Sequence, residues 1–138
     1  MSLERFTRKQ VVVADPDMPV FEVATLMRTR HVGAVVIASE GRPVGIVTDR
    51  DLALRVVGEA VLPGVAVASV MSHDLVTARV DTGLDEAFLL MKRGGVRRLP
   101  VVTDDGSVVG MVAIDDLVVL LAGELGSTAS VVSENRGP

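Results

Sequence analysis

A single pattern, met twice, restricts what this chain can fold into. Val20, Val23, Ala24 and Met27 fall at helical spacing, and Leu84, Ala87, Phe88 and Met91 repeat the arrangement 64 positions later. Each set reads as the buried stripe of an amphipathic helix. A short β-like run precedes each helix, at 11–14 and 75–78, and leads into a turn, Asp15-Pro16-Asp17 and Val80-Asp81-Thr82. Pro19 suits a first helical turn, and Thr82 with Asp85 predicts a capping box built on the shorter acid.

After each helix the pattern becomes a strand (33–38 and 99–103), a turn (Ser39-Glu40-Gly41 and Asp104-Asp105-Gly106), a further strand (43–47 and 108–113) and a closing helix. The second turn is one residue longer, so the offset becomes 65 from there on. Gly in each turn supplies the positive φ that a tight hairpin wants. The closing helices are predicted over 49–57 and 115–122, stopped near Gly58 and Gly123. The organisation is therefore repeat 1 at 7–58, a connector at 59–70 turning at Pro63-Gly64, repeat 2 at 71–123, and a flexible C-terminal tail or partner-contacting arm at 124–138. Residues 65–71 read as a short helix or an extended lead-in. A half of roughly 55–60 residues buries little surface alone. The economical solution is an α/β (α+β) fold in which two pseudo-symmetric β-α-β-β-α repeats pack through their sheets.

The chemistry concentrates in Gly45-Ile46-Val47-Thr48-Asp49-Arg50-Asp51-Leu52. A strand that stops at Thr48 and a helix that begins at Asp49 leave Thr48 and Asp51 on one edge, beside backbone N–H groups of the helix start. A hydroxyl next to a carboxylate can hold the two hydroxyls of a ribose, each charge-assisted hydrogen bond contributing roughly 1.5–3 kcal/mol. The repeat carries the motif again as Gly110-Met111-Val112-Ala113-Ile114-Asp115-Asp116-Leu117, where Ala113 replaces the hydroxyl.

Composition narrows the function classes. The 138 residues are 49% hydrophobic, enough for a sizeable core, yet Phe6, Phe21 and Phe88 are the whole aromatic content. A net charge of −4 and the absence of Tyr and Trp argue against nucleic acid as a partner. With no cysteine there is no disulfide framework, thiolate nucleophile or cysteine-based metal site, which fits a cytoplasmic protein. The longest apolar run, 117–122, is too short to span a bilayer, and Met1-Ser2-Leu3-Glu4-Arg5 has no signal-peptide core. No nucleophile–base pair, metal cluster or phosphate-cradling Gly-rich loop is present, so an enzyme is not expected. Asp104-Asp105-Gly106 lacks the alternating oxygen ligands and closing Glu of a calcium loop and reads as a hairpin turn. His31 and His73 lack acidic companions at metal-ligand spacing, and no metal is expected.

Taken together, the two closing motifs, the run Val96-Arg97-Arg98-Leu99-Pro100-Val101-Val102 and the helices ending at Met27 and Met91 resemble a tandem pair of CBS domains, a Bateman module, over about residues 7–122. The resemblance implies a regulatory module that needs no cofactor. Such pairs bind adenosine-containing ligands (AMP, ADP, ATP or S-adenosylmethionine) in clefts between the repeats and associate as flat homodimers. It also implies, for a pair standing alone, output to a protein partner in trans. The ribose position falls on Thr48 and Asp51. Base contacts fall on Ile46, Val47, Met71, Val76 and Val96. Phosphate contact falls on Arg97 or Arg98, with Arg97 favoured because Arg98 is expected on the other face of the strand. A weaker second cleft would use Asp116, Met111, Thr7, Val12 and Val32, with His31 or Arg30 compensating for Gly33 at the place of Arg97.

Bland alternatives stand beside these. Asp51 and Asp116 also suit first-turn acids facing the helix dipole, the better reading for Asp116. Arg97-Arg98 reads equally as a solvated or salt-bridged pair. A ligand-free dimeric scaffold is the competing function, and the degenerate second motif favours it.

Overall fold

The computed structural model describes Leu3 and residues 11–134, the side chains of 127–134 excepted. Two three-stranded sheets carry it, each built from one repeat. In the first, β1 (Val13–Ala14) pairs parallel with β2 (Ala34–Ser39), and β2 pairs antiparallel with β3 (Arg42–Thr48). In the second, β4 (Ala78–Arg79), β5 (Arg98–Val102) and β6 (Val108–Ala113) repeat the order and the directions. Helices α1 (Val20–Arg30) and α3 (Leu84–Gly94) make the parallel crossovers. Helix α2 (Asp49–Leu52), which runs on as a π-turn over Ala53–Val57, and α4 (Ile114–Glu134) follow the hairpins. The mixed α+β architecture of two like repeats is the expected one.

The β2–β3 hairpin turns at Glu40 and Gly41, both at positive φ (53° and 79°), the two-residue turn whose twist matches its strands. The β5–β6 turn is held by Asp105, whose Oδ1 accepts the Ser107 N–H at 3.0 Å and meets the Thr103 hydroxyl. The Thr103 hydroxyl and the Ser107 backbone amide hold the Asp105 carboxyl below the usual carboxylate range. Asp105 thus serves the turn.

Each repeat has its own apolar core on the helix side of its sheet. Val20, Val23, Met27, Val35, Ile37 and Val47 anchor the first; Ala87, Met91, Leu99, Val101, Val112 and Leu117 anchor the second. Leu3 is fully buried in the second core, and its N–H donates to Thr82 O at 3.0 Å, so the fold begins ahead of the expected residue 7. Strand alternation turns Ala34, Val36 and Ala38 to the other face of β2, yet they are 7%, 0% and 8% exposed. Pro100 of β5 is likewise buried. The two repeats meet where Val108 N–H donates to Gly41 O at 3.0 Å and where Arg98 reaches Gly33.

Four local expectations are corrected. Ala24 is exposed, because the buried arc of α1 narrows to Val20, Val23 and Met27. Thr82 and Asp85 form no capping box: Gly83 is the N-cap of α3, and the buried Thr82 Oγ1 accepts instead from Arg79 N–H at 2.8 Å. The first closing helix ends at Val57 as expected, but its C-cap Gly58 does not turn left-handed. It stays at φ −63°, and the left-handed residue is Ala60, while a Cβ at Gly58 would lie 2.5 Å from Leu54 O. Gly123 does not end α4, which runs to Glu134 through much of the expected tail. A glycine stops a helix by taking positive φ, and Gly123 is not among the glycines that do.

Candidate ligand cleft

The cleft starts where β3 becomes α2. Thr48 sits at the N-cap with extended backbone (φ −110°, ψ 163°). Its Oγ1 accepts the Asp51 N–H at 3.1 Å, and Asp51 Oδ2 accepts the Thr48 N–H at 2.9 Å. This reciprocal capping box satisfies two groups that a helix start leaves open. It fixes the Thr48 and Asp51 side chains side by side on the rim. The Thr48 hydroxyl still has its proton to donate. Asp51 Oδ1 lies 3.7 Å from Arg55 Nη2, and an ionised carboxylate has about four lone-pair sites, so acceptor capacity is left over.

The lead-in to repeat 2 forms one wall. Ile46 N–H donates to Ser72 O at 3.1 Å and Ser72 N–H to Ile46 O at 2.9 Å, so the backbone of Ser72 lies along the edge of β3. Gly45 permits this approach: a Cβ there would stand 2.5 Å from Met71 Sδ and 2.9 Å from Ser72 O. Arg55 bolts the wall down, its Nη1 donating to Val70 O at 2.8 Å and to Ser72 Oγ at 3.2 Å.

Together these elements leave a hollow of about 680 Å³ between the repeats. Thr48, Asp51 and Ile46 line one side, Met71 the lead-in, and Val96, Arg97 and Arg98 the side given by repeat 2. Seven of the nine residues predicted for this cleft are thus brought together. Val47 is not: strand alternation sends Ile46 to the hollow and Val47 into the first core, where it is fully buried. Val76 is not either; it packs on the second core under α3, a methyl 2.6 Å from the place of a Cβ on Gly94.

The two arginines also behave differently from expectation. Arg97 is 73% exposed on its side chain and already paired with Asp115, Nη2 to Oδ1 at 2.9 Å. Arg98 is not sent to the far side but lines the same hollow. Alternation fails as a guide here because Arg97 precedes β5 and lies outside the pleat. Arg55, Ser72, His73 and Asp74 line the hollow and were missed. Only Arg55 left a signal, four residues after Asp51 on one helix face.

The pseudo-symmetric hollow is smaller, about 250 Å³. Val12, Val32, His31, Met111 and Asp116 line it as expected; Arg30 does not, and Thr7 lies outside the described residues. Ala113 lines it where the first hollow has Thr48, and Arg98 and Asp115 enter it unforeseen. His31 holds the left-handed C-cap of α1 (φ 55°), the place Gly95 takes after α3. Among the described residues no group of His, Cys, Asp and Glu could hold a metal ion, and no helix is long and apolar enough to cross a membrane.

Comparison with known proteins agrees with this architecture. Residues 3–58 and 67–123 each match the CBS domain family. An uncharacterized protein of Methanopyrus kandleri, MK0525, is 36% identical over 120 residues, covering 86% of this chain; the chain spans 61% of that relative's length. Among solved structures, the CBS domain pair of protein MJ0100, in complex with 5′-methylthioadenosine and S-adenosyl-L-methionine, superposes with a TM-score of 0.81 at 24% identity, over 90% of this chain and 98% of its own. The CBS domain protein PAE2072 from Pyrobaculum aerophilum, complexed with AMP, gives 0.78 at 25% identity, over 85% and 90%. With both repeats matched and the paired architecture shared, the chain belongs to the CBS domain family and carries a tandem pair of CBS domains.

Proposed function

We propose that this chain is a regulatory sensor that binds an adenosine-containing nucleotide in the larger hollow. The observation that carries the reading is the Thr48–Asp51 pair, held on the rim of a hollow of about 680 Å³ with Arg97 and Arg98 among its other lining residues. The ribose hydroxyls go to Thr48 and Asp51, the base lies among Ile46, Met71 and Val96, and the phosphate meets Arg97 or Arg98. The AMP carried by PAE2072 supports this choice of ligand. A ligand that binds only one conformation stabilises it by RT ln(1 + [L]/Kd), about 2.7 kcal/mol at a hundredfold excess over Kd, and one that binds both shifts the population only by its differential affinity.

The same proposal includes a homodimer, a protein partner in trans, a cytoplasmic location and no catalytic activity of its own. Exposed Leu54, Val57 and Leu62, with Val118, Val119 and Leu125 on α4, supply apolar surface for association. A thermal-shift panel with AMP, ADP, ATP, S-adenosylmethionine and NAD tests the reading. At least one adenosine compound raises the melting temperature, and the rise is lost in Asp51→Ala relative to that variant's own unliganded value. A panel without any rise favours the ligand-free scaffold, and turnover of a nucleotide would restore the enzyme reading.

A further inference from the structure

Of the residues lining the two hollows, Arg98 is common to both. Its neighbours are small. Ala113 is its direct cross-strand partner on β6, and a Cβ on Gly33 would lie 3.6 Å from Arg98 Nη2. The position related to Arg98 by the repeat is Ala34, so repeat 1 sends no cation back. Ala113, in the sequence a lost hydroxyl, is here the gap beside which a long side chain lies between two cavities.

Partnering separates Arg98 from Arg97 and Arg55. Arg97 is held by Asp115 and Arg55 by Val70, Ser72 and Asp51. Arg98 is partly buried, and its side chain makes no hydrogen bond or ion pair with another described residue. The charged residues lining the hollows with it are Asp49, Arg50, Asp51, Arg55, Asp74 and Arg97 in the first and Asp115 and Asp116 in the second.

We propose that Arg98 couples the two hollows. A guanidinium is one charge on one planar fork of donors, and a phosphate engages it bidentately. An anion held in one hollow turns the fork toward itself and away from the other. Anions in the two hollows therefore weaken each other, by the same factor in either direction, while uncharged ligands bind the two independently. This rests on reading the first hollow as a nucleotide site.

The test plants a fixed charge in the second hollow. Ala113→Glu sets a carboxylate opposite Arg98 across the β5–β6 pair, where side chains lie about 5 Å apart, and Ala113→Gln controls for size and folding. The full chain is titrated calorimetrically with AMP and with adenosine. Relative to A113Q, A113E weakens AMP at least about fivefold, the lower end of ordinary coupling, and leaves adenosine within about twofold. With Arg98→Gln added, the two variants bind AMP alike. Equal AMP affinity in the Arg98 background, or a difference that survives Arg98→Gln, overturns the coupling. If the wild type binds neither AMP nor adenosine, the nucleotide reading fails separately, and the same four variants titrated with inorganic pyrophosphate decide the coupling. A difference between A113E and A113Q that vanishes with Arg98→Gln supports it. No such difference, absent binding included, overturns it.

Discussion

Thr48 and Asp51 cap each other, Asp51 N–H to Thr48 Oγ1 at 3.1 Å and Thr48 N–H to Asp51 Oδ2 at 2.9 Å. The pair proposed to hold a ligand is therefore also the pair that starts α2, and substitutions separate the two roles. Asp51→Ala removes both: unliganded stability falls by about 1 kcal/mol, as for a lost cap, and adenosine binding is lost. Asp51→Asn keeps an acceptor oxygen for the Thr48 N–H but no charge. We expect urea unfolding within about 0.5 kcal/mol of wild type, while adenosine and AMP both weaken about tenfold, the equivalent of one charge-assisted hydrogen bond. Urea titrations beside calorimetric binding read the two effects apart. If Asp51→Asn binds adenosine as wild type does, the carboxylate serves the cap alone.

Gly45 lets the lead-in to repeat 2 lie along β3. In Gly45→Ala the new Cβ meets Met71 Sδ at 2.5 Å and Ser72 O at 2.9 Å; the thioether can move, the backbone oxygen cannot without breaking the Ile46–Ser72 bridge. Stability falls by about 1–3 kcal/mol, the range for overpacking, and the amides of Ile46 and Ser72 exchange faster with solvent deuterium. A wild-type exchange pattern in Gly45→Ala would show that the wall of the hollow does not depend on this contact.

Arg55 ties α2 to that wall through Val70 O and Ser72 Oγ. Its side chain is 41% exposed, so the pairing with Asp51 at 3.7 Å adds little in water and the backbone contact dominates. We expect Arg55→Ala to lose about 1 kcal/mol in urea unfolding. Arg55→Lys recovers part of this, because one ammonium cannot copy the two-way fork. Adenosine affinity changes less than about threefold in both, since the ribose pair stays capped. A larger loss for adenosine than Asp51→Asn produces would make Arg55 the principal ligand contact.

The repeat, the six strands and the crossover helices were legible because apolar periodicity and turn glycines are local signals. What escaped depended on three-dimensional placement. Thr48/Asp51 and Thr82/Asp85 have the same spacing, yet only the first becomes a capping box, because α3 starts after Gly83 and strands Thr82 one residue too early. Ile46 and Val47 are adjacent and both apolar; the pleat decides which faces the hollow. Arg98 was assigned to the wrong side because the start of β5, between it and Arg97, is set by pairing with β6. That Arg98 reaches both hollows depends on Gly33 and Ala113, which lie far from each other in the chain and were read as defects.

The end of α4 is the clearest departure and has its own test. Gly123 lies inside the helix, with no atom within 4 Å of a Cβ built on it. Gly123→Ala should therefore stabilise the chain by about 0.5–1 kcal/mol and raise helicity by far-ultraviolet circular dichroism. Destabilisation of that size would return Gly123 to the helix stop expected from sequence.

The most direct measurement of the central claim is a crystal structure determined with AMP at saturating concentration. The account predicts AMP in the larger hollow, its ribose hydroxyls within hydrogen-bond distance of the Asp51 carboxylate and the Thr48 hydroxyl, its base against Ile46 and Met71, and its phosphate at Arg97 or Arg98. AMP bound elsewhere on the chain, or an empty hollow in a lattice that leaves it open, would contradict it.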